Sequence, residues 1–409
     1  MSNDIEGPQR RALPEWPATL DVGMLLAAGW QPKPFRQFIL KVHSRCNLAC
    51  DYCYVYTLAD QSWRGQPLVM SSEIVAVAAR RIAEHAARHR IPAVQVILHG
   101  GEPLLAGRDR LSETITTMRA AAPDVDVEFS MQTNGVLLDE DYLALFANQG
   151  VRVGVSLDGG EEVNDRHRKT VGGHGSYRAV ARALELLGRP EYRSVYGGIL
   201  CTIDLANDPV EIYESLASFR PPKIDLLLPH GTWAEPPPGQ SPDTSAAPYA
   251  DWLITVFDHW YGQGRPVTGI RLFEEIIHLL LGGASGIETI GLTPSTLLVI
   301  ETDGTIEQSD FLKVVGPGAA VTGLNITDHD LDRALYHPGV AARQLGLEGL
   351  SETCRACRFS TICGGGLYAH RYRPGTGHLN PSVYCADLYR LIHHVRSRIQ
   401  RDLPKGQAH

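Results

Sequence analysis

Seven of the eight cysteines in this 409-residue chain fall into two tight groups. Cys46, Cys50 and Cys53 form a C-x3-C-x2-C run. Three thiolates at that spacing can cap three irons of a cubane. The fourth iron then stays open to an outside ligand, because closed iron–sulfur clusters normally take four cysteines. A zinc ion completed by His43 is the competing use, although zinc sites favour C-x2–4-C pairs. The second group is Cys354, Cys357, Cys363 and Cys385. Four thiols can close a four-iron cluster or make an all-thiolate zinc site. Cys201 stands alone and is expected to pack as a small hydrophobe.

The elements that must position these residues follow a repeating pattern. Strand-like runs at 38–42, 94–98, 125–129, 151–155, 196–203 and 224–228 alternate with amphipathic segments at 71–90, 109–121, 139–149, 176–188, 208–218 and 249–262. Six β-then-α units predict an α/β fold with a parallel sheet. Spacing alone leaves open whether the sheet curls into a partial barrel or stays doubly wound. A Pro/Ser-rich loop covers 236–248, and the pattern changes after about residue 265. There, helical segments at 271–282 lead to a hairpin signal, Leu297–Ile300 and Thr305–Ile306 around Asp303-Gly304. A last helix is expected over about 383–402. Residues 1–35 are Pro-rich and read as an extension packed on the body. The expected division is 1–35, 36–265 and 266–409.

Composition excludes several classes. Charged residues are 21% and hydrophobic ones 44%, as in ordinary globular proteins. A net charge of −8 gives no reason to expect nucleic-acid binding. No apolar run approaches the ~18–20 residues of a membrane span. The start lacks a signal-peptide pattern, and the cysteines are too few for a disulfide scaffold, so a cytoplasmic location is expected.

The three-cysteine run with Tyr52 before its last Cys resembles the signature of radical S-adenosylmethionine (SAM) enzymes. Further motifs sit in order at predicted strand ends: His99-Gly100-Gly101-Glu102-Pro103, Gln132-Thr133-Asn134-Gly135, Ser156-Leu157-Asp158-Gly159, Asn164–Arg168 and Leu200-Cys201-Thr202. The resemblance implies a partial (β/α)6 TIM-like barrel over about 36–230. It also implies a first [4Fe–4S] cluster on Cys46, Cys50 and Cys53, with SAM on it. Tyr52, Gly100, Gly101, Glu102, Gln132, Asn134, Ser156, Arg168 and Leu200 become the expected SAM-side residues. Within these, the Gly pair would let the backbone approach the ligand, Glu102 would take the methionine ammonium, Ser156 a ribose hydroxyl and Arg168 the carboxylate. Arg166 is the competing register.

The C-terminal region resembles a SPASM domain, the auxiliary-cluster module of peptide-modifying radical SAM enzymes. Ser309 and Leu367 stand where that family places cysteines of an inner auxiliary cluster. One auxiliary [4Fe–4S] cluster on Cys354, Cys357, Cys363 and Cys385 is therefore expected, making two clusters in all. Phe35–Cys46, Tyr54–Arg64, Glu307–Lys313 and Cys363–Tyr368 look like FxsB-type maturases. These make cyclophanes in ribosomally synthesised peptides, joining an aromatic ring to the β-carbon of a nearby residue. The resemblance implies a precursor peptide and an external electron donor such as flavodoxin or ferredoxin. Hydrogen abstraction by a 5′-deoxyadenosyl radical is followed by ring addition and loss of one electron and one proton. Asp310 is the expected base, with Glu301, Glu307 and Asp303 as rivals on the same hairpin. Peptide binding by strand addition is expected. The competing readings are oxidation of a Cys or Ser, as in sulfatase maturases, and a zinc-stapled peptide-binding protein without catalysis.

Overall fold

The computed structural model describes residues 15–240, 246–264 and 266–402. Residues 1–14 of the expected extension and 241–245 of the Pro/Ser-rich loop lie outside the described residues.

The chain enters through a short helix, α1 (Val22–Ala27), and then alternates. The order is β1 (Gln37–His43), α2 (Ser72–His89), β2 (Ala93–Gly100), α3 (Arg108–Ala121), β3 (Asp126–Thr133) and α4 (Glu140–Gln149). Next come β4 (Val151–Ser156), α5 (Glu161–His167), α6 (Tyr177–Leu187), β5 (Tyr196–Thr202), α7 (Pro209–Ala217), β6 (Lys223–Leu227) and α8 (Pro248–Gly262). The C-terminal part adds β7 (Gly269–Ile270), α9 (Arg271–Leu280), β8 (Leu297–Ile300), β9 (Thr305–Glu307) and β10 (Val321–Asn325). Four short helices follow, α10 (Asp332–Leu335), α11 (Pro338–Ala342), α12 (Glu352–Arg355) and α13 (Ser360–Cys363), and then α14 (Cys385–Asp402).

Local chemistry explains the helix starts. Ser71 caps α2 by accepting from the Ile74 amide, and Asp139 caps α4 through Tyr142. Asp208 caps α7, with Pro209 at the first helical position. The strands follow period-two burial: in β2, Val94, Val96 and Leu98 point into the core while their neighbours are half-buried.

β1 to β6 pair in parallel in chain order, each followed by helix, as a (β/α)6 partial barrel requires. The expected hairpin forms, β8 against β9. Its consequence for the fold is larger than the hairpin itself. β8 also pairs in parallel with β1, Phe38 opposite Leu298 and Leu40 opposite Ile300. One ten-stranded sheet therefore crosses the expected division near 265, in the order β10-β9-β8-β1-β2-β3-β4-β5-β6-β7. The helix α5, strand β10 and the short helices α10 and α11 were not anticipated from periodicity. They hold too few turns or residues to show one.

A single apolar core runs from the barrel into α14, where Leu391, Ile392 and Val395 are fully buried. A smaller cluster of Leu312, Val314, Ala342 and Tyr368 is covered by Trp16 and Leu20. The described part of the extension thus packs on the C-terminal region. Gln344 clasps it, accepting from Lys33 N at 2.8 Å and donating to Lys33 O at 2.9 Å. Among the described residues no helix is long and apolar enough to cross a membrane.

Phe257 of α8 joins barrel and C-terminal helix, lying 5.2 Å from Phe273 of α9 and 6.0 Å from His394 of α14. It is fully buried. Phe257→Ala is expected to cost about 3–5 kcal/mol, read by anaerobic urea unfolding. A cost no larger than that of a surface substitution would show that α14 does not depend on this contact.

Candidate functional site

The loop carrying Cys46, Cys50 and Cys53 leaves β1 and is tied down on two sides. The amides of Gly101 and Glu102 donate to the carbonyls of His43 and Arg45, both at 2.9 Å. On the other side Ala49 N donates to Lys169 O at 2.8 Å, and Asn134 Nδ2 to Asn47 Oδ1 at 2.7 Å. Cys46 Sγ accepts from Leu48 N at 3.4 Å and lies 3.6 Å from Asn134 Nδ2. These contacts draw the ends of β1, β2 and β3 and the turn after α5 onto one loop. His43 serves the loop itself, its Nδ1 accepting from Arg45 N at 3.2 Å.

The glycines of the β2 loop act differently from the sequence expectation. A Cβ on Gly101 would lie 1.9 Å from Tyr56 Oη and 2.5 Å from the Arg45 backbone. The missing side chain lets this loop lie on the cysteine loop. Glu102, the expected ammonium ligand, lies beside these glycines. It has no exposed surface. Its Oε1 accepts from Leu104 N at 3.0 Å and Thr133 Oγ1 at 2.7 Å, and its Oε2 from Asn134 N at 2.7 Å. Burial pushes its carboxyl upward, opposed by these bonds. As placed, Glu102 fastens the ends of β2 and β3.

Arg168 and Arg166 separate clearly. Arg166 turns outward to Asp204 at 2.7 Å and Asn207 at 3.0 Å. Arg168 is buried, and its NH1 donates to Tyr52 Oη at 2.8 Å. Tyr52 Oη in turn donates to Asp158. The other oxygen of Asp158 accepts from Thr202 N at 3.0 Å. The Nε of Arg168 is buried without a partner, a donor placed for a carboxylate not otherwise supplied. Gln132 Nε2 donates to Ser156 Oγ at 2.9 Å, which brings two of the expected SAM-side residues together. Leu200, half-buried on β5, sits beside Ser156. Asp158 and Thr133 were not singled out as site residues; both lie inside the motifs quoted for their neighbours.

A second buried cluster lies at the β8–β9 hairpin. Lys41 Nζ reaches Asp310 Oδ2 at 2.5 Å. Lys313 Nζ reaches Glu301 at 2.6 Å, Glu307 at 3.0 Å and Asp310 at 3.7 Å. Burial pushes the Asp310 carboxyl up, but Lys41 and then Lys313 overcome it and hold the group at about 2. Burial pushes Glu307 up to about 8, which Lys313 only partly offsets. Asp310 is therefore the ionised acceptor of the cluster, and Glu307 the member that holds a proton more readily. Oδ1 of Asp310 has no hydrogen-bond donor. His99, held neutral by burial and by Lys41, lies beside the pair. Asp303 belongs elsewhere: it closes the hairpin turn by accepting from Thr305 N at 2.8 Å. Lys41 was missed in the sequence, although a lysine between Leu40 and Val42 on a core strand is the signal that could have found it.

The second thiol set sits on helices more than on loops: Cys354 in α12, Cys363 ending α13 and Cys385 opening α14. Gly364, Gly365 and Gly366 all have positive φ. They curl the chain so that three carbonyls meet the Arg371 guanidinium, at 2.5–3.1 Å. Burial pushes the Cys363 thiol up to about 12 and Cys385 to about 11, and does the same to Cys46 and Cys50, at about 12 and 11. Thiols so raised become ligands only when a metal replaces the proton.

The donor spacing bears on which metal fits. Zn–S bonds of about 2.3 Å put the sulfurs of a tetrahedral site about 3.8 Å apart. Among the described residues, no set of three potential ligand atoms within 4.8 Å of one another includes a cysteine. Neither thiol set, as placed, is drawn as close as one zinc ion needs. The place expected to have lost a cluster is different. Ser309 and Leu367 are both buried and line a cavity of about 60 Å³ with Leu312, Arg343 and Tyr368. No thiol lines it.

Residues 40–215 match the family model described as the radical SAM superfamily. The matched stretch runs from β1 into α7 and includes the three-cysteine loop, Glu102, Ser156 and Arg168. The chain is similar to a serine-type anaerobic sulfatase-maturating enzyme of Bacteroides thetaiotaomicron, at 24% identity over 89% of this chain and 90% of the relative. It is also similar to a cysteine-type anaerobic sulfatase-maturating enzyme of Clostridium perfringens, at 25% identity over 86% and 94%. The solved structure of anSMEcpe with bound AdoMet superposes with a TM-score of 0.74 at 23% identity, covering 90% of this chain and 98% of that one. Streptococcus suis SuiB bound to precursor peptide SuiA gives 0.60 at 13% identity, covering 89% and 78%. The fold is that of these enzymes. Residues 40–215 form a radical SAM domain, and SAM and iron–sulfur clusters are the cofactors that go with it.

Two measurements test the site. Anaerobically prepared protein is expected to hold about eight irons and as many sulfides, by analogy with two four-iron cubanes; stoichiometric zinc at Cys354, Cys357, Cys363 and Cys385 would overturn the second assignment. Glu307, raised when folded, binds its proton more tightly folded than unfolded. Its contribution is complete below the usual carboxylate range and is lost as pH rises toward about 8. Glu307→Gln should flatten that decline in an anaerobic unfolding series across pH.

Proposed function

We propose that this enzyme matures a ribosomally made peptide by forming a cyclophane, joining an aromatic ring to the β-carbon of a nearby residue. The observation that carries the reading is the pairing of an ionised, buried acceptor, Asp310, with a C-terminal region holding thiols for one auxiliary cluster and none at Ser309 and Leu367. Peptide modification itself is supported by the relatives, sulfatase-maturating enzymes, and by the likeness to SuiB, solved with its precursor peptide.

Cys46, Cys50 and Cys53 would hold the first cluster, and Cys354, Cys357, Cys363 and Cys385 the auxiliary one. Arg168 would present its free Nε to the SAM carboxylate, and the Gln132–Ser156 pair would meet the ribose. Tyr52 and Asp158 keep the Arg168 guanidinium aimed, and Glu102 keeps the loops around it in place. When bound at a reduced cluster, SAM supplies a 5′-deoxyadenosyl radical able to take hydrogen from an unactivated carbon. The protein's own part is to hold the peptide still, exclude water and accept a proton. A proton on a ring carbon that has lost aromaticity is strongly acidic, so a carboxylate as weakly basic as Asp310 suffices. Lys41 and Lys313 keep that carboxylate empty, and Glu307, which holds a proton more readily, does not compete.

The peptide would add as a strand along β10, the outermost strand, paired only to β9 among the described strands and exposed at Val321 and Gly323. An electron donor of the flavodoxin or ferredoxin class would reduce the clusters. Eight unpaired thiols suit a reducing cytoplasm.

The second reading is Cys or Ser oxidation, favoured by the names of the relatives. The absent thiols at Ser309 and Leu367 weigh against it. Incubation with the small peptide encoded beside this gene separates the two. Cyclophane formation removes about two mass units per crosslink (two hydrogens) and leaves fragments joined in tandem mass spectra. A formylglycine at a single Cys or Ser, with no joined fragments, would replace the first reading by the second. Asp310→Asn is expected to keep SAM cleavage while losing crosslink by at least ~100-fold, the lower range for a positioned proton acceptor.

A further inference from the structure

Four rings form a row between the two thiol sets. Tyr54 follows Cys53 directly in the chain, and Tyr384 directly precedes Cys385. Between them stand His230, from the loop after β6, and His370. Tyr54 meets His230 edge-on at 4.7 Å between ring centroids. His230 meets His370 at 5.4 Å, with Nδ1 and Nε2 in hydrogen-bond contact at 3.2 Å. His370 meets Tyr384 at 5.1 Å. Phe311, next to Asp310, flanks the first two rings at 6.0 and 5.3 Å.

Rings at 4.5–7 Å also pack for their own sake. Three features distinguish this row. Its ends are covalent neighbours of a cysteine from each set. It passes the proton acceptor Asp310, whose charge is felt at Tyr54. It also stands in for the route that an inner cluster would have offered, since no thiol lines the cavity at Ser309 and Leu367. A buried imidazole, His370, against a half-buried one, His230, is a costly choice for a core. Burial lowers both, His230 to about 4 and His370 well below the usual imidazole range, so neither stores charge.

We infer that Tyr54, His230, His370 and Tyr384 are an electron bridge from the side of Asp310 and the three-thiol loop to the auxiliary cluster. The inference rests on the crosslinking reaction proposed above. After the carbon radical adds to the peptide ring, the C–C bond is formed and the adduct is one electron and one proton above the aromatic product. The electron crosses the ring row and reduces the oxidised auxiliary [4Fe–4S] cluster by one. The proton leaves the ring carbon for Asp310. No ring in the row is itself oxidised. The packed π systems fill a gap over which electron transfer would otherwise fall off steeply.

The test compares His370→Leu and His230→Leu with His370→Phe, in fully loaded enzyme of equal iron content. In the first arm no peptide is present. The enzyme is photoreduced with less than one electron per chain, and freeze-quench EPR follows redistribution between the two clusters. The Leu variants should slow redistribution by an order of magnitude or more without moving its end point, and His370→Phe should restore it. In the second arm, with peptide, the ratio of 5′-deoxyadenosine to crosslink should rise in the Leu variants, because stranded radicals are quenched. Wild-type redistribution in both Leu variants overturns the bridge. So does a His370→Phe variant as slow as His370→Leu, which would assign the role to the imidazole hydrogen bond. If a Leu variant loses iron, the other Leu variant and His370→Phe decide. If wild-type enzyme makes no crosslink while the first arm behaves as stated, the peptide reading falls and the bridge stands.

Discussion

A carboxylate sealed from water persists only where donors replace its hydration. Glu102 meets that condition with donors from the start of its own loop and the end of β3, while its amide bonds to Arg45 beside Cys46. The placement of the three-thiol loop is thus inherited from one enclosed side chain. Gly101 is the counterpart: any larger residue would lift the β2 loop off the cysteine loop and pull those donors away. The cluster-binding geometry depends on this knot, and the outer residues, Tyr52, Asp158 and Arg168, are arranged around it.

The second buried carboxylate cluster obeys the same rule with the opposite outcome. Glu102 accepts three bonds from neutral donors, and among the described residues no cation is paired with it. Asp310 is satisfied by cations, which keep it ionised and leave Oδ1 open. Two lysines, one from β1 and one from the turn after β9, separate a fastener from a reactive group. Their placement ties this acceptor to the barrel strand that leads into the cysteine loop.

Much of this was legible in the chain. The strand–helix alternation, the hairpin around Asp303-Gly304 and the motif at each strand end are short-range patterns, and the barrel follows from them. Contacts between distant positions were not legible. Nothing near Glu102 shows that its carboxylate turns inward to Thr133, and nothing near Lys41 shows that Asp310 completes it. The pairing of β8 with β1 is likewise invisible, because four apolar residues can cover any edge. Arg168 and Arg166 could not be ordered until α5, too short to display periodicity, set which one faces in. The same limit hid the row of rings, whose members lie far apart in the chain.

The pairing of β1 with β8 also has a meaning for biosynthesis. β1 is made long before β8, and one of its edges, with Phe38 and Leu40 fully buried in the finished protein, waits for residues 297–300 to leave the ribosome. Until then the nascent barrel carries an unpaired apolar edge, the kind of surface that recruits other strands. Completing the cysteine loop's own strand is therefore one of the later events of synthesis.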